Sequence, residues 1–226
     1  MSDTLETSLG PLTVIPVEHA SLILTFAGKV LYSDPCGGAE RYAGLPRPTG
    51  ILVTHQHSDH LDIATLEALA GPHVPLLVSR PVFEELPAPV RAHAKAIGNG
   101  EAGTIDGVPV RAIPAYNHSP DRLRYHPRGV GNGYLLSVGD KTIYISGDTE
   151  DTPEMRALTG VDLAFLPMNL PYTMTAEQAA AAAKAFRPGI VYPFHYTGND
   201  FPQRFAGLME GSGTEVRLRD WYPRGA

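Results

Sequence analysis

Short apolar runs, most of them closed by glycine, proline or aspartate, alternate along this chain with stretches of helical periodicity. The first third reads as strands over 12–17, 22–26 and 30–33, with Ala27-Gly28-Lys29 turning between the last two. Asp34-Pro35 ends the third strand, and a Gly- and Pro-rich loop runs over 36–48. The run 51–53 is continuously apolar, as a strand buried on both faces requires. Asp62 can cap a helix over 63–70 that Gly71-Pro72 ends. A short strand at 76–78 and a helix over 81–86 follow, and 98–107 is turn-like. After a strand at 108–113 comes a long loop, 114–133, of the kind that usually carries function. The runs 134–138 and 141–145 form a hairpin across Gly139-Asp140. Thr152-Pro153 opens a helix to 158, and 163–166 is a strand. Thr175 with Gln178 makes a capping box for the alanine-rich helix 176–186. A strand at 190–194, a helix at 202–209 and a strand at 214–218 complete the pattern. Alternating strands and helices after a hairpin-rich start predict a mixed α/β class with two sheets.

Composition changes this picture little. At 226 residues, 43% hydrophobic and 19% charged, the chain suits one globular domain, 1–226, with a sizeable core. A net charge of −6 argues against an electrostatic grip on nucleic acid or an anionic membrane. The single cysteine, Cys36, precludes an internal disulfide framework. The stretch Met1–Glu6 lacks the features of a secretory signal, and no run approaches a membrane span, so a cytoplasmic protein is expected. Oligomeric state, including a homo-oligomer, is left open.

Candidate chemistry concentrates in Thr54-His55-Gln56-His57-Ser58-Asp59-His60-Leu61-Asp62, directly after the strand 51–53. Imidazole is the commonest biological metal ligand, and a nearby carboxylate adds a charged oxygen donor. One ion cannot easily use His55, His57, Asp59 and His60 together, so two are expected. Three other strands end the same way: 108–113 leads to Tyr116-Asn117-His118, 141–145 to Ser146-Gly147-Asp148, and 190–194 to His195. Sites in sheets with parallel portions gather beyond the carboxyl ends of strands, so the four ends are expected to converge.

The series His55-x-His57-x-Asp59-His60, His118, Asp148, His195 resembles that of the metallo-β-lactamase superfamily of metal-dependent hydrolases. The resemblance runs from about Leu12 to Asn199. Glu18-His19-Ala20-Ser21, Ser33-Asp34-Pro35, Leu166-Pro167-Met168-Asn169 and Pro193-Phe194-His195-Tyr196 are similar to the branch holding ascorbate-phosphate lactonase and N-acylphosphatidylethanolamine phospholipase. The resemblance implies a four-layer αβ/βα sandwich, two mixed β-sheets flanked by helices, with the site at one edge. It implies two divalent metal ions, zinc first, with manganese and iron compatible. His55, His57 and His118 would hold one ion, Asp59, His60 and His195 the other, and Asp148 would bridge both. Asp59 and Asp148 are thereby the carboxylates expected to serve catalysis. Two such ions share a hydroxide able to attack an ester, lactone or phosphodiester of a small molecule.

Lesser candidates surround this set. His126, in the same loop, is the rival of His118 for the ligand position; His118 sits closer to the strand end and in the place the resemblance implies, so His126 is read as a substrate contact or a solvated histidine. His19 is a hydrogen-bonding or substrate residue, and Asp34 orients ligating histidines rather than binding metal. Asn169 and Tyr196 either polarise substrate or stabilise loops. Arg122, Arg124 and Arg128 form a basic cluster that receives a phosphate or carboxylate, or is simply solvated. Three other functions are compatible with the fold: a nucleic-acid phosphodiesterase or nuclease, an iron-dependent oxidoreductase, and a non-catalytic sensor. The acidic charge argues against the first, and His57, where diiron relatives tend to carry a carboxylate, against the second. The filled ligand positions argue against the third.

Overall fold

The strand-forming runs assemble into two seven-stranded sheets. A computed structural model describes residues 3–196, 198 and 200–222. Met1 and Ser2 of the amino-terminal stretch, and Asn199 at the end of the resemblance, lie outside the described residues. The first sheet holds, in spatial order, β1 (Asp3–Thr7), β2 (Gly10–Glu18), β3 (Ser21–Phe26), β4 (Lys29–Ser33), β5 (Gly50–Val53), β6 (Leu76–Val78) and β7 (Ala94–Ala96). The second holds β8 (Ala102–Ile105), β9 (Val108–Ala115), β10 (Gly131–Val138), β11 (Lys141–Ile145), β12 (Leu163–Met168), β13 (Ile190–Tyr196) and β14 (Glu215–Val216). Each sheet is antiparallel up to its fourth strand and parallel from there on. Among the described residues the α-helices are α1 (Ile63–Ala70), α2 (Arg80–Glu85), α3 (Ala88–Arg91), α4 (Pro153–Arg156), α5 (Ala176–Phe186) and α6 (Asp200–Met209).

Period-2 alternation sorts the side chains of the first sheet into two layers. Leu22, Leu24, Leu31, Leu52 and Leu77 join the core shared with the second sheet, alongside Val110, Leu136 and Ile143. Their neighbours Ile23, Tyr32, Ile51 and Val53 pack instead with Leu66 of α1 and Val82 of α2. Residues from α5 and α6 (Ala179, Phe186, Phe205) belong to the core of the second sheet. Each large aliphatic side chain buried this way contributes roughly 1.5–3 kcal/mol. The expected two mixed sheets flanked by helices are therefore present. Both expected caps form as well: the Asp62 carboxylate accepts from Thr65 N–H, and Thr175 with Gln178 closes a reciprocal box.

The differences from expectation lie at the sheet edges and at glycines. Strand β1, Asp-Thr-Leu-Glu-Thr, is too polar to announce itself and pairs with β2 at an edge. Strands β7 and β8 form within and beside the segment expected to turn. Gly103 is there for contact, since a Cβ on it would lie 3.3 Å from Ile97 and 3.4 Å from Leu77. Likewise β10 begins at Gly131, paired with Ala115 of β9, rather than at Tyr134, and Gly133 fits inside it because a Cβ there would meet the Ser146 carbonyl at 2.7 Å. The helix expected to reach 158 ends at Arg156, and the last strand shrinks to Glu215–Val216.

Candidate metal centre

Beyond the ends of β4, β5, β11 and β13, both sheets deliver polar side chains to one place. The turn after β4 puts Asp34 in the left-handed region, φ 47°, with its carboxylate facing the loop that follows β5. Its Oδ1 accepts the Thr54 N–H and its Oδ2 the Thr54 hydroxyl, both at 2.7 Å. The same Oδ2 accepts His60 Nδ1–H at 2.8 Å, which leaves Nε2 of His60 pointing at Asp148. His19, at φ 54°, and His195, at φ 45°, share the left-handed conformation. Half of the six non-glycine residues with positive φ among the described residues thus stand at this cluster, a concentration of backbone strain typical of functional sites.

Asp148 is the hub. Its Oδ1 lies 3.4 Å from His60 Nε2, and its Oδ2 lies 3.2 Å from His126 Nε2, 3.3 Å from His195 Nε2 and 3.9 Å from His55 Nε2. Burial pushes its carboxyl up, but the neighbouring His195, His60 and His126 rings hold it well below the ordinary range. Burial pulls His60 down, yet Asp148 and Asp34 carry it well above the usual imidazole value. Burial and the neighbouring His60 hold His55 well below that value. For Asp59, burial acts upward and hydrogen bonds from His19 and His195 overcome it, so this carboxyl too stays ionised.

The long loop departs from expectation. His118 turns away from the cluster: its side chain is 44% exposed, and Nε2 lies 3.3 Å from Asp151. His126, 5% exposed, stands in its place. The cause is Glu150, a fully buried carboxylate whose Oε2 accepts the N–H groups of His118 and Ser119 at 2.7 and 2.6 Å. Its Oε1 pairs with Arg122 at 2.8 Å. These bonds fold residues 118–122 against Glu150 and carry the chain back, so that His126 reaches Asp148. Nδ1 of His126 lies 3.0 Å from the Tyr172 carbonyl. A carbonyl only accepts, so Nδ1 donates, and Nε2 is the nitrogen turned toward Asp148.

Among the described residues, three sets of potential ligand atoms each fall within 4.8 Å of one another: His55–His57–His126, His55–His60–Asp148 and His19–Asp59–His195. His60 Nε2, His126 Nε2, His195 Nε2 and Asp148 Oδ1 are buried and make no hydrogen bond. Buried imidazole nitrogens and a carboxylate oxygen left without a hydrogen-bond partner among the described residues are metal donors, so the donor set fits a bound metal. Six of the seven expected ligands meet here; His118 does not.

The lesser candidates divide. His19 sits beside the cluster, Nε2 3.2 Å from Asp59, with burial pulling it below the ordinary imidazole value. Asn169 borders the cavity in front of the cluster. Tyr196 sends its hydroxyl away, to the Arg219 carbonyl at 3.1 Å. Cys36 touches no candidate ligand set, and burial pushes its thiol up. Sequence reading missed Glu150, Trp221 and Tyr222. The one available signal was the aromatic pair Trp221-Tyr222 in an otherwise polar tail.

Residues 26–196 match the Beta-lactamase superfamily domain. The chain belongs to that superfamily. A metal-dependent hydrolase of the UPF0173 group from Thermoplasma acidophilum is 34% identical over 181 residues, covering 75% of this chain and 77% of the relative. A crystal structure from Parabacteroides distasonis, provisionally named a metal-dependent hydrolase, superposes with a TM-score of 0.90 at 37% identity. That likeness covers 98% of this chain and 99% of the other. The diiron β-hydroxylase CmlA of Streptomyces venezuelae shares the fold alone, at 18% identity and a TM-score of 0.70 over 89% of this chain and 52% of its own. This superfamily member is a metal-dependent hydrolase. No helix among its described residues is long and apolar enough to cross a membrane.

Proposed function

We propose that the centre holds two divalent ions and hydrolyses an ester, lactone or phosphodiester bond in a small anionic molecule. The ring of imidazole nitrogens around Asp148 supports this reading most strongly, because one carboxylate faces ligands on both sides. His55, His57 and His126 would hold one ion, and Asp59, His60 and His195 the other, with Asp148 between them. Bound there, the pair supplies an acidified water and a Lewis acid for the developing oxyanion. Asp34 fixes the ring of His60 by accepting its Nδ1 proton, and the Tyr172 carbonyl does the same for His126.

The cavity in front of the cluster has a volume of about 490 Å³ and suits a small molecule. Arg124, Tyr125, Asn169 and Tyr172 form its outer wall. Of the three loop arginines, Arg122 is spent on Glu150 and Arg128 on Glu154. Arg124 makes no ion pair among the described residues; its Nη2 donates to the Tyr125 hydroxyl at 2.8 Å. It is the cation available to an anionic substrate at the mouth.

Elemental analysis of protein purified without chelator tests the metal count, with about two ions per chain expected. A value near zero in fully active protein would sink the assignment. A panel of lactones, phosphodiesters and β-lactams then reads the bond class. Arg124→Ala is expected to raise KM for an anionic substrate by about five- to tenfold with little change in kcat, and to leave a neutral ester unaffected. Equal losses on both substrates in steady-state assays would remove Arg124 from recognition.

A further inference from the structure

The carboxy-terminal segment enters the site through Tyr222. Trp221, fully buried against Phe165 and Phe194, anchors this segment. Its carbonyl accepts the His19 N–H at 2.9 Å, while the His19 carbonyl accepts the His195 N–H at 3.1 Å. His19 is therefore clamped at both backbone groups, between the tail and β13. The Tyr222 hydroxyl oxygen accepts the Tyr196 N–H at 3.0 Å and lies 2.6 Å from His19 Nδ1.

That pair of contacts decides where the imidazole proton sits. Among the described residues His19 Nδ1 is the acceptor in reach of the phenol proton. If Tyr222 donates, Nδ1 is the bare nitrogen, and the neutral ring carries its proton on Nε2. This proton points at Asp59 Oδ2, 3.2 Å away, and completes a second good hydrogen bond. The opposite tautomer would leave the phenol proton unspent and turn a nitrogen lone pair on the Asp59 carboxylate. A lone pair turned on a carboxylate is repulsive, which disfavours that tautomer.

We propose that Tyr222 is a positioning residue: it sets the tautomer of His19, making that histidine a donor to Asp59 instead of a metal ligand. By distance alone, His19, Asp59 and His195 form a possible ligand triad. The proton on Nε2 removes His19 from it and holds the Asp59 carboxylate in place for the second ion. The role in ion binding rests on the two-metal reading; the tautomer does not.

The test begins with metal-free protein labelled with ¹⁵N-histidine. Long-range ¹H–¹⁵N spectra, with His19→Asn assigning the signal, are expected to show Nδ1 bare and Nε2 protonated. In Tyr222→Phe the two tautomers are expected to exchange, and affinity for the second metal equivalent to fall about tenfold, while the first equivalent binds as before. Against a His19→Asn background, where asparagine tolerates the left-handed backbone, Tyr222→Phe is expected to have no further effect. A protonated Nδ1 in the wild type overturns the proposal, and so does equal weakening of both equivalents or an additive double variant. Should Tyr222→Phe fail to fold, the wild-type tautomer still decides. One metal per chain with Nε2 protonated would refute the two-metal reading and leave the tautomer assignment standing. Two metals with Nδ1 protonated would do the reverse.

Discussion

Asp148→Asn is expected to lower turnover by roughly a thousandfold or more, because several kcal/mol of transition-state stabilisation depend on the metal centre. The substitution keeps shape and volume but replaces one carboxylate oxygen with an amide NH2, which is no ligand and carries no charge. Asp148 lies within 3.4 Å of three imidazole nitrogens, so no other side chain can take over its place between them. Metal content is expected to fall together with activity, while circular dichroism shows an intact fold, since the residue occupies the loop after β11 and not the packed sheet. Unchanged turnover would remove Asp148, and the two-metal mechanism with it. Lost turnover at full metal content would assign it a role in the chemical step alone.

The second large effect separates two histidines eight positions apart. His126→Ala is expected to lower metal affinity by at least about a hundredfold, the upper end of what loss of an outer hydrogen-bond partner costs. His118→Ala is expected to leave affinity within about twofold, because an exposed histidine–aspartate contact contributes little. Titration of both apo variants with zinc, read by competition against a chromophoric chelator, checks the pair. The opposite order would restore His118 to the position that its place at the strand end suggested.

The contrast between these two residues shows where sequence reading works and where it stops. The segment His55–His60 was conspicuous because its chemistry is local: four ligand-type side chains follow one buried strand, and the strand's apolar run says where it ends. The layers of the sandwich were legible for the same reason, since alternation within β3, β4 and β5 assigns each side chain to a face. The choice between His118 and His126 depends on Glu150, more than twenty residues further on, which collects two backbone N–H groups and an arginine. No spacing rule reports that a later carboxylate will fold a loop. Glycine misled in a related way. Gly103 and Gly133 resemble turn residues in sequence, but each allows a close approach inside a strand. Tyr222 was invisible because it meets His19 from the other end of the chain.

The order of the strands has a consequence of its own. Each sheet is one uninterrupted half of the chain, and the two halves repeat a plan: a meander first, then parallel strands whose ends carry the polar residues. His19, Asp34, His55, His57, Asp59 and His60 come from the first half, and His126, Asp148 and His195 from the second. Neither half owns the whole candidate ligand set. A metal bound by ligands from both halves would favour their docking. An ion present at a thousand times its dissociation constant adds about 4 kcal/mol to the docked state, on the scale of the whole stability of a small domain. In this fold a bound metal would add its hold to the core that the two halves of the chain already share.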